Sequence, residues 1–209
     1  MRALTLALAL AASAVAGQAA ADVFIFETTL DGASEFPPVV SDGFGVAVLR
    51  LDTDLHTLRV RVKFGDLEGT TTLAHVHGPT ATANTGLAGV ATELPLFTGF
   101  PVGVRFGAYD HAFDTTDAAT WNPAFVTANG GTTLGAEAGF LAALQAQKAY
   151  LNIHTTFVPS GEIRGFPIAT DRQSVAIPEP ATWALMIAGF GLAGASLRRL
   201  AAGRAAQEA

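Results

Sequence analysis

The chain is predicted to be mostly β: an antiparallel β-sandwich or barrel with one short helix, set between an N-terminal signal peptide and one C-terminal transmembrane helix. Three observations carry this. Short runs rich in β-branched and aromatic residues recur through the middle, Gly and Pro punctuate almost every junction between them, and two charge-free apolar stretches lie near the ends.

Met1 and Arg2 make a positive start, residues 4–16 an apolar run, and Ala19, Ala20 and Ala21 a small-residue cleavage site. Residues 1–21 therefore read as a secretory signal peptide. The exported body begins at Asp22, with a first β-rich run at 23–26 and better strands at 45–51 and 58–64. In the last of these Leu58, Val60, Val62 and Phe64 alternate with Arg59, Arg61 and Lys63. A period of two puts the apolar side chains on one face and predicts an edge or outer strand. Asp52, Thr53 and Asp54 supply turn chemistry between the two strands, so a hairpin is expected. Further strands are predicted at 73–77, 87–96, 102–109, 149–155 and 162–168. Residues 135–148 are good helix formers and give the single helix, packed over one end of the sheet. Residues 114–133, with Trp121-Asn122-Pro123 and Asn129-Gly130-Gly131, read as a long ordered loop of the kind that is functional or covers an edge. Residues 169–177, polar and proline-rich at the end, read as a tether.

Composition narrows the function. Twelve Lys and Arg stand against 18 Asp and Glu, a net charge of −6, and Arg2, Arg198, Arg199 and Arg204 lie in the terminal segments, so the body is more acidic still. Nucleic-acid binding needs clustered cations and is excluded as a function. The chain has no cysteine, which rules out disulfides, thiolate metal sites and thiol catalysis.

After the tether come Pro178, Glu179 and Pro180, an uncharged stretch at 181–197, and Arg198 and Arg199. As a helix the stretch spans roughly 26 Å, enough for a thin bilayer. The basic pair is a stop signal that marks its own side as cytoplasmic and leaves the body outside. Ile177-Pro178-Glu179-Pro180-Ala181-Thr182-Trp183, the glycine-containing helix and the arginines closely resemble the PEP-CTERM sorting signal of Gram-negative bacteria, over 178–204. The resemblance implies recognition by an exosortase, a membrane protease-transpeptidase that cuts at the motif, so that the helix anchors the protein to membrane lipid only until it is passed to the cell surface or secreted.

Two constellations in the body carry chemistry. His75 and His77, at i and i+2 of a strand, share a face. His154 lies in another strand, and if the strands are neighbours the three imidazoles are candidate ligands for zinc or copper. The alternative is a buried hydrogen-bond network that ties strands together. Glu162 and Arg164 follow a Pro159-Ser160-Gly161 turn and also alternate, so they either pair as a structural ion pair or join the histidines in a polar ligand platform. His56, in a turn, and His111, beside Asp110, read as surface residues.

Leu30-Asp31-Gly32-Ala33-Ser34-Glu35-Phe36-Pro37-Pro38, Leu73-Ala74-His75-Val76-His77-Gly78-Pro79, Ala149-Tyr150-Leu151-Asn152-Ile153-His154-Thr155 and Gly161-Glu162-Ile163-Arg164-Gly165 occur in this order. They resemble the CHRD domain first described in chordin, and place it at 22–168. The resemblance implies an extracellular β domain with a binding or structural role. The expected function is that of a surface or extracellular-matrix protein, not an enzyme, with the exosortase, lipid and extracellular polysaccharide as partners. The alternative is a metal-binding protein or a metalloenzyme of the superoxide dismutase type. That type lacks support from a second histidine-rich loop with an aspartate, and no serine sits in a nucleophile elbow, Ser160 lying in a Pro-Gly turn. Replacing both Arg198 and Arg199 by Glu is expected to shift the protein out of the membrane fraction or invert its tail, as read by cell fractionation and protease accessibility.

Overall fold

The structure is a computed structural model and describes residues 23–170 and 187–191. The chain divides into two compact units, residues 1–173 and 174–209. The expected signal peptide at 1–21, the Pro178-Glu179-Pro180 motif and the expected stop signal at Arg198 and Arg199 lie outside the described residues. Of the expected membrane helix at 181–197, residues 187–191 are described and are helical. Among the described residues no helix is long and apolar enough to cross a membrane.

The first unit is built on one antiparallel sheet. Its strands are β1 (Val23–Asp31), β2 (Phe44–Asp52), β3 (Thr57–Gly65), β4 (Thr71–His77), β5 (Gly107–Asp114), β6 (Tyr150–Thr155), β7 (Ile163–Gly165) and β8 (Ile168–Ala169). They run in the order β4-β6-β7-β1-β2-β3-β5, and β8 adds to β1. Of the sandwich and the barrel that the sequence left open, the structure takes the side of the barrel, a single continuous sheet curled into a half-barrel. The predicted hairpin forms between β2 and β3, with Leu49 opposite Val60 and Leu51 opposite Leu58. Its turn is closed by Asp52, whose Oδ1 accepts from the Leu55 amide at 2.9 Å. Strand β3 is interior rather than an edge or outer strand, because β5 pairs along its whole length. Its outward Arg59 meets Asp110 of β5 with two hydrogen bonds of 2.7 and 2.8 Å.

Several predicted elements are displaced. The strand expected at 102–109 starts at Gly107 and runs to Asp114. Its inward row of Tyr109, His111 and Phe113 alternates with Asp110 and Asp114, and those acids gave the segment the look of a loop. Residues 87–96 make no continuous strand. They touch β4 through one isolated bridge, His77 to Val90, and through the Ala91 amide, which donates to the Val76 carbonyl at 2.9 Å, and Pro95, with no amide hydrogen, interrupts any ladder. The strand expected at 162–168 is cut in two at Phe166-Pro167 for the same reason. Ala169, assigned by sequence to the tether, is the last residue of β8, and the Thr170 amide still donates to Ile25 at 2.9 Å.

The predicted loop at 114–133 folds further than its composition shows. It carries a 3-10 turn at Ala118–Thr120 and a short helix, α1 (Pro123–Ala128), so residues 23–170 hold two α-helices rather than one. Asn122 caps α1 through its side chain, with proline at the first turn. The expected helix is α2 (Thr133–Gln145), capped by Thr132 and ended before Gln147, whose φ is +56°. Its Ala136, Phe140, Ala143 and Leu144 are buried. Phe140 meets the ring of Trp121 edge-on at 5.3 Å, and the Trp121 Nε1 donates to the Thr115 carbonyl at 2.9 Å.

The main core lies on one face of the sheet, where Phe26, Leu49, Leu58, Val60, Ile153 and Ile163 pack with the helices and with Phe97 and Phe100. At the β4-β6-β7 end the other face is covered too. All six residues of β6 are buried. Leu151 and Ile153 face the core, and Tyr150, Asn152 and His154 face the opposite way under loops. Phe140→Ala is expected to cost about 3–5 kcal/mol, seen as a lower urea midpoint with an unchanged slope.

Candidate functional site

The register between β4 and β6 assembles the site. His75 lies opposite Asn152, His77 opposite Tyr150 and Leu73 opposite His154. Residues opposite one another in an antiparallel pair share a face, as do residues two apart along a strand. His75, His77 and His154 are thereby brought together, with ring centroids 5.7, 5.6 and 6.1 Å apart. One nitrogen of each ring lies within 4.8 Å of the other two.

The remaining nitrogen of each ring meets a backbone carbonyl. His75 Nε2 is 2.6 Å from the Pro95 carbonyl, His77 Nδ1 2.9 Å from that of Ala88, and His154 Nδ1 2.8 Å from that of Pro159. A carbonyl only accepts, so each of these nitrogens carries the hydrogen and the tautomer is determined. His75 Nδ1, His77 Nε2 and His154 Nε2 are then lone pairs, and all three are buried without a protein partner. Burial lowers the pKa of all three rings, against the pull of the carbonyls; His77 falls to about 4. The rings are neutral at physiological pH, the form that ligates metal. Hydrogen bonds from the far nitrogen to carbonyls are the usual outer support of a metal-bound imidazole. Three neutral nitrogens with no thiolate and no ring of carboxylates suit zinc or copper and do not suit calcium or magnesium, which take oxygen.

Arg164 belongs to the same cluster, and Glu162 does not. Arg164 lies opposite Asn152 across β6 and β7. Its guanidinium is 2% exposed and sits 4.7 Å over the Tyr150 ring, which itself stacks on His77 at 4.8 Å. Arg164 Nε donates to the Ser34 carbonyl and Nη1 to that of Gly86. Glu35, which sequence reasoning did not single out, stands 3.7 Å from Arg164 Nε. Burial pushes its pKa up to about 7, although Arg164 opposes the rise. A signal that could have found Glu35 is an acidic residue in an otherwise uncharged Ala-Ser-Glu-Phe-Pro-Pro run; Asn152, also missed, stands two residues before His154 on one strand.

Glu162 precedes β7, so strand alternation does not aim it at the histidines. Its carboxylate is a clasp. Oε1 accepts from Ser41 Oγ at 2.6 Å and the Glu68 amide at 2.7 Å, and Oε2 from Thr155 Oγ1 at 2.6 Å and the Gly69 amide at 3.1 Å. Burial by itself would raise its pKa, but the four donors outweigh it and hold the carboxyl below the usual glutamate value. The other two histidines are elsewhere. His56 contacts Glu137 at 3.1 Å, and His111, expected in a loop, is in β5 against Phe113. Among the described residues the three clustered histidines are the one group placed to hold a metal, and no second histidine site with an aspartate accompanies them.

A curled antiparallel sheet with a buried polar cluster under its loops is the class of domain these features define. The chain belongs to the CHRD domain family, whose pattern matches residues 26–166. Residues 176–199 match the PEP-CTERM protein-sorting motif, which implies export and membrane-associated sorting with recognition by an exosortase. No curated protein and no solved structure matches the chain.

The Glu162 clasp has a pH signature. Its folded pKa is depressed, so its contribution is present above the ordinary value of 4.5 and is lost as pH falls below it. Glu162→Gln is expected to be less stable than the wild type at neutral pH and to lose less further stability on acidification through that range, as read by urea titrations across the pH series.

Proposed function

We propose that this chain is an exported protein of the cell surface or extracellular matrix, held briefly in membrane lipid by its C-terminal segment and cut by an exosortase near Pro178-Glu179-Pro180. Its CHRD domain is non-enzymatic and holds one zinc or copper ion on His75, His77 and His154. The observation that carries the metal assignment is the set of three neutral, buried imidazoles whose free nitrogens face one another, each fixed from behind by a carbonyl.

The ion has a structural use in this reading. The histidines join β4 to β6, and their carbonyl partners at Ala88, Pro95 and Pro159 belong to the loops over the site. An ion bound only by the folded chain cross-links these segments, which a cysteine-free domain sent outside the cell cannot do with disulfides. The surface this braces is the one offered to extracellular polymer such as polysaccharide.

Purified protein is expected to contain close to one equivalent of zinc or copper by elemental analysis, and His77→Ala to contain none. Free metal at about 100 times its Kd should stabilise the wild type by ~2.7 kcal/mol and leave His77→Ala unmoved. Protein that takes up no metal, with a melting temperature indifferent to zinc and copper, rejects the metal centre. Mass spectrometry of the exported product should show both termini trimmed.

A further inference from the structure

Five buried side-chain atoms among the described residues have no hydrogen-bond partner, and they belong to one cluster. Three are the free imidazole nitrogens. The other two are Asn152 Oδ1 and Glu35 Oε1. Buried polar atoms in folded proteins are nearly always partnered, so five orphans in one place mark a ligand rather than an accident of packing.

The geometry shows what kind of ligand. Asn152 sits between Tyr150 and His154 on the site face of β6, opposite His75, and its amide lies against both the His77 ring and the Glu35 carboxyl. The backbone closes on the same spot at Gly161, which has φ +129°. A Cβ there would stand 2.5 Å from Asn152 Nδ2 and 2.6 Å from Glu35 Oε1, so no residue with a side chain fits without displacing one of them. An amide oxygen accepts, and so does a carboxyl oxygen that carries no hydrogen. The nearby cation, Arg164, donates to the carbonyls of Ser34 and Gly86 and stands 3.7 Å from the Glu35 carboxyl. No protein donor reaches Asn152 Oδ1, so a species that satisfies it brings its own O–H or N–H. It must also be small, since Glu35 and Asn152 are 6% and 2% exposed. Three imidazoles, meanwhile, leave a tetrahedral ion one position short.

Resting on the three-histidine reading above, we propose that Asn152 and Glu35 form an oxygen subsite beside the ion, which holds one water-sized, hydrogen-donating ligand, water first, in the fourth coordination position. Asn152 Oδ1 accepts from this ligand. Glu35 is a positioning residue that holds the Asn152 amide in the orientation that turns its oxygen toward the ion.

Pulsed electron paramagnetic resonance of the full chain loaded with copper(II), in H2O and in D2O, tests this. The wild type is expected to show imidazole nitrogen couplings together with a strongly coupled exchangeable hydrogen from the bound ligand. In Asn152→Leu the imidazole couplings should persist and the exchangeable one disappear; in Glu35→Gln it should weaken. Asn152→Asp keeps an acceptor of the same shape and should retain it. Wild-type protein that shows the imidazoles without an exchangeable coupling overturns the subsite and leaves the metal centre standing, as does an Asn152→Leu signal identical to wild type. A spectrum of free aqueous copper overturns both.

Discussion

The register of β4 against β6 is the constraint from which the site follows. With His75 opposite Asn152 and His77 opposite Tyr150, one face of that strand pair carries the polar cluster together with Leu73, and the other carries Ala74, Val76, Leu151 and Ile153. A slip of one residue by β4 would turn His75 and His77 into the core and Ala74 and Val76 out of it, and a slip by β6 would do the same to His154 and to Leu151 and Ile153. Those four side chains are fully buried in the main core, so the burial that stabilises the sheet also holds the imidazoles together. Core packing and site geometry are two sides of one pairing.

The two buried polar groups near β7 show how differently burial can be resolved. Glu162 is completely buried and surrounded by donors from Ser41, Thr155 and two amides, and it joins four segments of chain as a charge whose hydrogen bonds are complete. The cluster around His75 is as deeply placed, yet its remaining atoms are acceptors facing acceptors. Satisfied networks rigidify a fold, and acceptors left facing one another raise the free energy of the metal-free protein. On the proposed reading a cation bound by the three imidazoles would remove their part of that penalty, in the folded state only, and so would couple metal binding to stability.

Exosortase sorting and the domain's chemistry are separable in the chain. The PEP-CTERM motif at 176–199 determines handling at the membrane, and the CHRD match at 26–166 covers the sheet, its helices and the polar cluster.

Much of this was legible in local sequence. Alternation in 58–64 is a property of the extended backbone, so the buried face of β3 followed without knowing its neighbours, and so did the shared face of His75 and His77. The Asp52 turn and the PEP-CTERM motif were equally local. What the tertiary structure alone decided is which strands become neighbours: that β6 lies beside β4, that β5 follows β3 instead of leaving it at an edge, and that one sheet curls into a half-barrel where sandwich and barrel were both open. Glu35 enters the site by the same route, since Arg164, 129 positions further along, holds it from a strand that pairs with both β6 and β1. Side-chain direction is determined within a few residues by backbone geometry, whereas adjacency is decided by the burial of the whole sheet, to which every segment contributes and which no single segment encodes.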